Sequence, residues 1–282
     1  MNILEAINNI TQIDFSKVAV KEITIGNNRA QNMGRGLEEF VMNAFANSFL
    51  IEDQKTLNAE YEKVFSFQGS KRNPPDLMLE NGAALEIKKQ ESLNVELQLN
   101  SSHPKQFLKC DSPLITKTCR ESEDWSQKDF IYIIGHIPKE TKTLSSIWFV
   151  YGEIYAASEE VYLSLKEQIQ TNLMEDQSIP FSETQELGRV NEIDPLKITN
   201  LRVRGMWLLK QPFQVFDYVH DYNPKCTFQC ITLIPTSKYE ALPKESRDKI
   251  DGNELIVVTD VQIRNPDNPV KLINCKRIYY SF

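Results

Sequence analysis

The chain has 282 residues, of which 41% are hydrophobic, and a formal net charge of −7. This length and composition suit a globular protein with a sizeable core and exclude repeat and low-complexity proteins. The five cysteines contain no C-x-x-C pair, so neither a zinc ribbon nor a disulfide framework is indicated. No apolar run reaches the roughly eighteen residues of a membrane span, and the N-terminus does not resemble a secretory signal. We therefore expect a cytoplasmic protein.

The first long predicted element is an amphipathic helix over residues 28–49. Its apolar residues recur at helical spacing: Met33, Leu37, Phe40, Val41, Ala44 and Phe45. On a helical wheel Glu38 lies at the border of this apolar stripe, whereas Glu39 points away from it. Glu38 is therefore a candidate metal ligand or a neighbour of one, and the alternative is that both residues only keep the helix soluble.

A β-hairpin is predicted next, with strands at 77–79 and 83–88 around the turn Glu80-Asn81-Gly82. A two-residue turn would pair Leu77 with Glu86. A three-residue turn with Gly82 in the left-handed conformation pairs Leu77 with Leu85 and Asp76 with Glu86. The second register places like residues opposite each other, so we favour it.

In that register Asp76, Glu86 and Lys88 share one face of the hairpin. Two carboxylates so close together are destabilising unless a cation lies between them, and carboxylate oxygens are the ligands that Mg²⁺ prefers. A bound metal can polarise a phosphate and activate water, and a nearby lysine can orient or help deprotonate that water. The trio predicts a metal-dependent phosphodiesterase. The alternative is a solvated hairpin edge, because 25% of the chain is charged.

Further along the chain, helices are predicted at 111–123 and from a Ser158 N-cap to Leu173, and strands at 130–134 and 147–154. Residues 174–195 are polar and acidic, which indicates a loop. This order predicts a mixed α/β (α+β) fold in which helices flank a mixed central sheet. We expect one domain over 1–282, with a catalytic core at 1–175 and a β-rich C-terminal elaboration at 190–282.

Several polar and basic residues are candidates for contact with nucleic acid: Lys89, Asn100, Ser101, Ser102, His103, Lys105, Arg202 and Arg204. Arg202 and Arg204 alternate with apolar residues on one predicted strand, and arginine is well suited to the guanine edge. The alternatives are contact with phosphate or a plain exposed strand face, and His103 could simply cap a turn before Pro104. The negative net charge opposes DNA binding at long range, so we expect a local basic cleft on an acidic body.

The chain also resembles a known family through motifs that follow one another in order. These are Asn27-Asn28-Arg29-Ala30, Met33-Gly34, Leu37-Glu38-Glu39, Asn73-Pro74-Pro75-Asp76, Glu86-Ile87-Lys88-Lys89, 99–105, Cys119-Arg120-Glu121, Trp125, 129–132 and 149–152. They resemble the NgoPII-type restriction endonucleases of the PD-(D/E)xK nuclease superfamily. The resemblance implies a restriction-endonuclease-like core, with Asp76, Glu86 and Lys88 as catalytic residues and Asp76, Glu86 and Glu38 as metal ligands.

The same resemblance implies an activity. It is a type II, Mg²⁺-dependent endonuclease that acts as a homodimer on double-stranded DNA and leaves 5′-phosphate ends. The expected target is a short palindrome, GGCC, and a cognate DNA methyltransferase is the expected functional partner. The alternatives are a repair or junction nuclease of the same fold, a non-cleaving DNA-binding protein, and an interaction protein with a coincidental hairpin.

Overall fold

The computed structural model describes residues 1–13, 29–69, 73–99, 102–174, 181–182, 187–191 and 193–282. The helices are α1 (Ile3–Thr11), α2 (Arg29–Ala46), α3 (Gln54–Val64), α4 (Lys117–Arg120), α5 (Glu159–Met174), α6 (Pro212–Val215), α7 (Thr236–Ala241) and α8 (Lys244–Asp251). The strands are β1 (Phe65–Gln68), β2 (Leu77–Leu79), β3 (Ala84–Gln90), β4 (Leu97–Gln98), β5 (Phe107–Lys109), β6 (Gln127–His136), β7 (Ser146–Tyr151), β8 (Phe181–Ser182), β9 (Gly188–Val190), β10 (Leu201–Val203), β11 (Leu208–Leu209), β12 (Gln229–Pro235), β13 (Ile256–Arg264) and β14 (Leu272–Ser281).

The central sheet has the strand order β1-β2-β3-β6-β7-β12-β14-β13, and β5 adds to one end of β6. The pairs β3–β6 and β7–β12 are parallel, and the other neighbours are antiparallel. The predicted mixed sheet flanked by helices is confirmed. Strands from both halves of the chain belong to this one sheet.

Both faces of the sheet are covered, which explains why its middle strands are apolar along their whole length. On one face, Phe45 of α2 meets Phe149 of β7 with 6.5 Å between ring centroids. On the other face, the neighbouring residue Trp148 packs against Phe213 and Phe216 of the α6 region. Helix α2 also contacts β3, so the core fixes this helix against the strand that carries the predicted site.

Two smaller sheets lie beside the central one. Strands β8, β9 and β10 form a three-stranded antiparallel sheet, called the outer sheet below, and β11 pairs with β4. The prediction of a loop over 174–195 was therefore wrong where β8 and β9 form. The segment is polar, and strands of two or three residues are too short to show an alternation of apolar and polar side chains in the sequence.

The predicted helix at 111–123 was also largely wrong, since α4 covers only its last part. Thr116 caps α4 by accepting a hydrogen bond from the Cys119 amide at 3.1 Å, so the helix begins only at Lys117. The preceding loop is held by Arg120, whose guanidinium donates to the carbonyls of Cys110 and Ser112. The predicted strands at 130–134 and 147–154 and the helix after Ser158 are confirmed, although a 3₁₀ turn at Gly152–Ile154 replaces the end of the second strand. Among the described helices, none is long and apolar enough to cross a membrane.

Candidate active site

The hairpin from Asp76 to Gln90, called the site hairpin below, has the predicted register from Leu77 onward. Leu77 pairs with Leu85 and Met78 with Ala84, and the Leu79 amide donates to the Ala83 carbonyl at 3.0 Å. The prediction that Gly82 takes the left-handed conformation was wrong, because Asn81 takes it, with φ of 52°. Asparagine tolerates this conformation better than other residues with a Cβ.

Asp76 immediately precedes β2 and continues the pairing of the hairpin. Its amide donates to the Leu85 carbonyl at 3.0 Å. Its carboxylate Oδ2 accepts a 2.6 Å hydrogen bond from the Ile87 amide. The carboxylate is therefore held against the strand segment that carries Glu86 and Lys88.

Glu86 and Lys88 lie two residues apart on β3 and form an ion pair, with 2.6 Å between Lys88 Nζ and Glu86 Oε1. Both side chains are largely enclosed, at 12% exposure for Glu86 and 21% for Lys88. The other carboxylate oxygen, Glu86 Oε2, is buried and has no hydrogen-bond partner within the described residues. A buried acceptor in this state is costly, so it marks a position where a donor or cation can bind.

Among Asp76, Glu86, Glu38 and Lys88, negative charge exceeds positive charge. Burial of the Asp76 carboxyl, followed by the charge of Glu86, raises its pKa to about 7 despite the opposing effect of Lys88. Burial alone would lower the pKa of Lys88, but the carboxylates of Glu86, Asp76 and Glu38 outweigh it and raise that pKa. Lys88 therefore stays protonated, while the carboxylates still lack full compensation.

Helix α2 brings Glu38 near this cluster. Glu38 is half-buried, and its charge contributes to the raised pKa of both Asp76 and Lys88. Burial of the Tyr61 hydroxyl, followed by the charge of Glu39, raises the pKa of Tyr61. The two adjacent glutamates thus act on different groups.

The residues present fit a hard divalent cation. Carboxylate oxygens are its preferred ligands, and the unpartnered Glu86 Oε2 beside the raised pKa of Asp76 marks where positive charge would stabilise the fold. No group of three His, Cys, Asp or Glu side chains spaced for a metal exists in the part of the chain that the structure describes. The protein would therefore supply few of the ligands, which is usual for Mg²⁺.

The predicted DNA-contacting residues near the hairpin have varied environments. The ammonium of Lys89 pairs with Glu91 Oε1 at 2.6 Å. Ser102, His103 and Lys105 line a small cavity of about 10 Å³ together with Glu86. Asn100 and Ser101 lie outside the described residues. Ser102, His103 and Lys105 thus lie next to Glu86, and the last two of them, His103 and Lys105, are buried.

His103 is packed into an aromatic cluster. Its ring stacks on Tyr162 at 5.5 Å between centroids and meets Trp207 edge-on, and its Nε2 lies 3.5 Å from Glu159 Oε1. Burial, reinforced by the charge of Lys105, lowers the pKa of His103 to about 4. A neutral, enclosed imidazole joins α5 to the segment before β11.

Arg202 lies on β10 of the outer sheet, and Arg204 directly follows the last residue of that strand. Both residues are exposed. Arg202 lies directly opposite Arg189 in the β9–β10 ladder. Sequence reasoning missed Arg189, because β9 lies in the segment that was predicted to be a loop. The ladder therefore adds a third arginine to the predicted pair.

Sequence reasoning also gave no role to Tyr132. This buried residue of β6 is the direct neighbour of Glu86 in the parallel β3–β6 ladder, and it lines the same small cavity. The sequence did contain an indication of such a role for Tyr132, because a tyrosine within an apolar buried strand needs a hydrogen-bond partner for its hydroxyl.

Comparison with known proteins extends the resemblance to almost the whole chain. The family model described as NgoPII restriction endonuclease matches residues 1–264. The type II restriction enzyme NgoPII of Neisseria gonorrhoeae is 42% identical over 280 residues, which cover 99% of each chain. No solved structure matches the chain.

Proposed function

Because this chain belongs to the NgoPII restriction endonuclease family, we propose that it hydrolyses double-stranded DNA with Asp76, Glu86 and Lys88. The observation that carries this assignment is the Asp76 carboxylate held on the Ile87 amide next to Glu86, whose buried Oε2 has no hydrogen-bond partner among the described residues. Enzymes of this class typically use a divalent metal. Asp76 and Glu86 would hold Mg²⁺, and Glu38 from α2 would lie next to the metal and not serve as a third ligand. When bound, the metal polarises the phosphate and lowers the pKa of water.

The residues of the chain have separate tasks in this proposal. The Ile87 amide fixes the Asp76 carboxylate at 2.6 Å. The protonated Lys88 is held by Glu86 and donates hydrogen bonds to the attacking water or to the phosphate. The water oxygen would bond to phosphorus and lose its proton to solvent, while the P–O3′ bond breaks and the departing 3′ oxygen takes a proton from solvent. The products are a 5′-phosphate and a 3′-hydroxyl.

We further propose GGCC as the target and a homodimer as the active form. A palindrome has twofold symmetry, so a twofold dimer would place one site on each strand. Arg202 and Arg204 would contact the guanine-rich half-site, and residues 190–282 would contribute to recognition and dimerisation. A methyltransferase that modifies the same target in the cytoplasm is the expected functional partner.

The test is digestion of a plasmid of known sequence with Mg²⁺ or with EDTA, followed by mapping of the ends. We expect discrete Mg²⁺-dependent fragments that end within GGCC and carry 5′-phosphates, and no fragments with the Asp76→Ala variant. Discrete ends at another sequence would replace the proposed target. Cutting only of branched DNA would favour the junction nuclease, and intact DNA under every condition would refute the proposed function.

A further inference from the structure

Lys105 is a buried cation beside the candidate active site. Its residue is only 7% exposed, and it lines the same small cavity as Glu86 and Tyr132. An ammonium has three donors, and within the described residues Lys105 Nζ makes one hydrogen bond, to the His103 carbonyl at 3.3 Å. Two donors therefore remain for another acceptor in or near this cavity.

The backbone of Lys105 is held at two points. Its amide donates a 2.7 Å hydrogen bond to the hydroxyl of Tyr132, the neighbour of Glu86 in the β3–β6 ladder. On another side, a Cβ added at Gly152 would lie 2.2 Å from the Lys105 carbonyl oxygen, so only glycine permits this close approach. The main chain of Lys105 is thus fixed relative to the strand that carries Glu86.

The charge of Lys105 also favours the binding of an anion at this position. Burial lowers the pKa of Lys105 to about 8, although the carboxylates of Glu86 and Glu159 oppose this. At neutral pH the side chain therefore keeps its charge at a position that desolvates it. A buried ammonium with unused donors is stabilised most by an anion that enters the site.

We infer that Lys105 is a second catalytic lysine, whose ammonium donates to a non-bridging oxygen of the scissile phosphate, and that Tyr132 and Gly152 position it. The inference rests on the proposed nuclease function. It goes beyond a general role in DNA binding, because a lysine that only attracts the DNA backbone would be exposed. Lys105 forms no covalent bond with the substrate and loses no proton in this role.

The experiment makes two measurements on a duplex that contains the mapped target. The first is the single-turnover cleavage rate with enzyme in excess and Mg²⁺ present. The second is equilibrium binding of the same duplex in Ca²⁺. Lys105→Met should lower the rate at saturating enzyme about 100-fold while the dissociation constant changes by less than about threefold. The matched control is Lys109→Met, because Lys109 lies four residues away and its exposed side chain pairs with Glu159. It should cleave at the wild-type rate.

The positioning role is tested with Tyr132→Phe, which removes only the acceptor of the Lys105 amide. We expect the saturating rate to fall about tenfold with the half-saturating enzyme concentration unchanged. Thermal melting of each variant identifies loss of fold. A folded Lys105→Met variant that binds weakly but cleaves at the normal rate at saturation would overturn the inference and leave the proposed function intact. A wild-type protein that cleaves no DNA would overturn both.

Discussion

The site hairpin and the outer sheet differ in how far their charged side chains are enclosed by the protein. In the hairpin, Glu86 and Lys88 are enclosed, joined at 2.6 Å, and backed by a fully buried core. In the outer sheet, Arg202 is exposed beside Leu201, which is itself 54% exposed. The first region is fixed by packing within the chain, whereas the second presents its side chains outward.

This difference in exposure fits the task that is proposed for each region. Groups that stabilise a transition state act best when they are already fixed and shielded from water. Groups that contact DNA must reach a large external partner, so they need to be exposed in the free protein. Substitutions in the hairpin should therefore change the rate and the stability of the free protein, and substitutions in the outer sheet should change affinity.

The largest expected effect is a loss of DNA cleavage when the site hairpin is changed. Asp76→Ala or Lys88→Ala should lower the single-turnover rate at least about 1,000-fold, because each removes a fixed charge at the reacting phosphate. Glu80→Gln is the matched control, since Glu80 is an exposed carboxylate at the turn of the same hairpin. Retained cutting by either alanine variant would contradict the assignment of the site.

The second expected effect is that the metal-free protein loses folding stability as pH rises. The pKa of Asp76 is raised from 3.8 to about 7, so the folded state binds more protons and loses stability as pH rises through this window. Asp76→Asn keeps an acceptor for the Ile87 amide and removes the cost. Its free energy of unfolding in EDTA should match the wild type near pH 4 and exceed it by up to about 4 kcal/mol above pH 7, at about 1.4 kcal/mol per pKa unit.

Urea unfolding across this pH range provides the measurement, with Glu80→Gln expected to follow the wild type. Mg²⁺ should reduce the difference between wild type and Asp76→Asn, because it compensates the carboxylate in the wild type only. A constant difference at all pH values would mean that Asp76 is not destabilised by burial and by Glu86.

The same contrast explains what sequence could predict. The hairpin register follows from local pairing, since Leu77 opposite Leu85 leaves no charge facing an apolar residue. The position of Glu38 follows from helical periodicity. Sequence failed where long-range contacts decide: the Tyr132 hydroxyl meets the Lys105 amide across 27 residues, and His103 becomes enclosed only when Tyr162 and Trp207 pack on it. The left-handed residue was misassigned because glycine and asparagine both tolerate that conformation.

The third effect concerns the outer sheet. Arg202→Ala should weaken binding of the target duplex about tenfold, or about 1.4 kcal/mol, with the saturating cleavage rate unchanged. Titrations at several salt concentrations distinguish the two roles: loss of a phosphate contact weakens binding to all sequences and flattens the salt dependence, whereas loss of a base contact relaxes specificity. Lys249→Ala on α8 is the control, because Lys249 already pairs with Glu245. Unchanged affinity in Arg202→Ala would remove the outer sheet from the DNA interface.

The smallest expected effect is on protein stability when the turn of the site hairpin is changed. Asn81 holds φ of 52°, and its amide donates to Glu123 Oε2 at 2.9 Å. Asn81→Ala should cost about 1 kcal/mol of unfolding free energy, because alanine resists the left-handed conformation, whereas Asn81→Gly should stay within about 0.5 kcal/mol. Urea unfolding at one pH measures both. Because the apolar pairs below the turn also fix the register, both variants should cleave at the wild-type rate. A large loss of rate in the alanine variant would instead mean that the turn itself sets the position of Asp76 relative to Glu86.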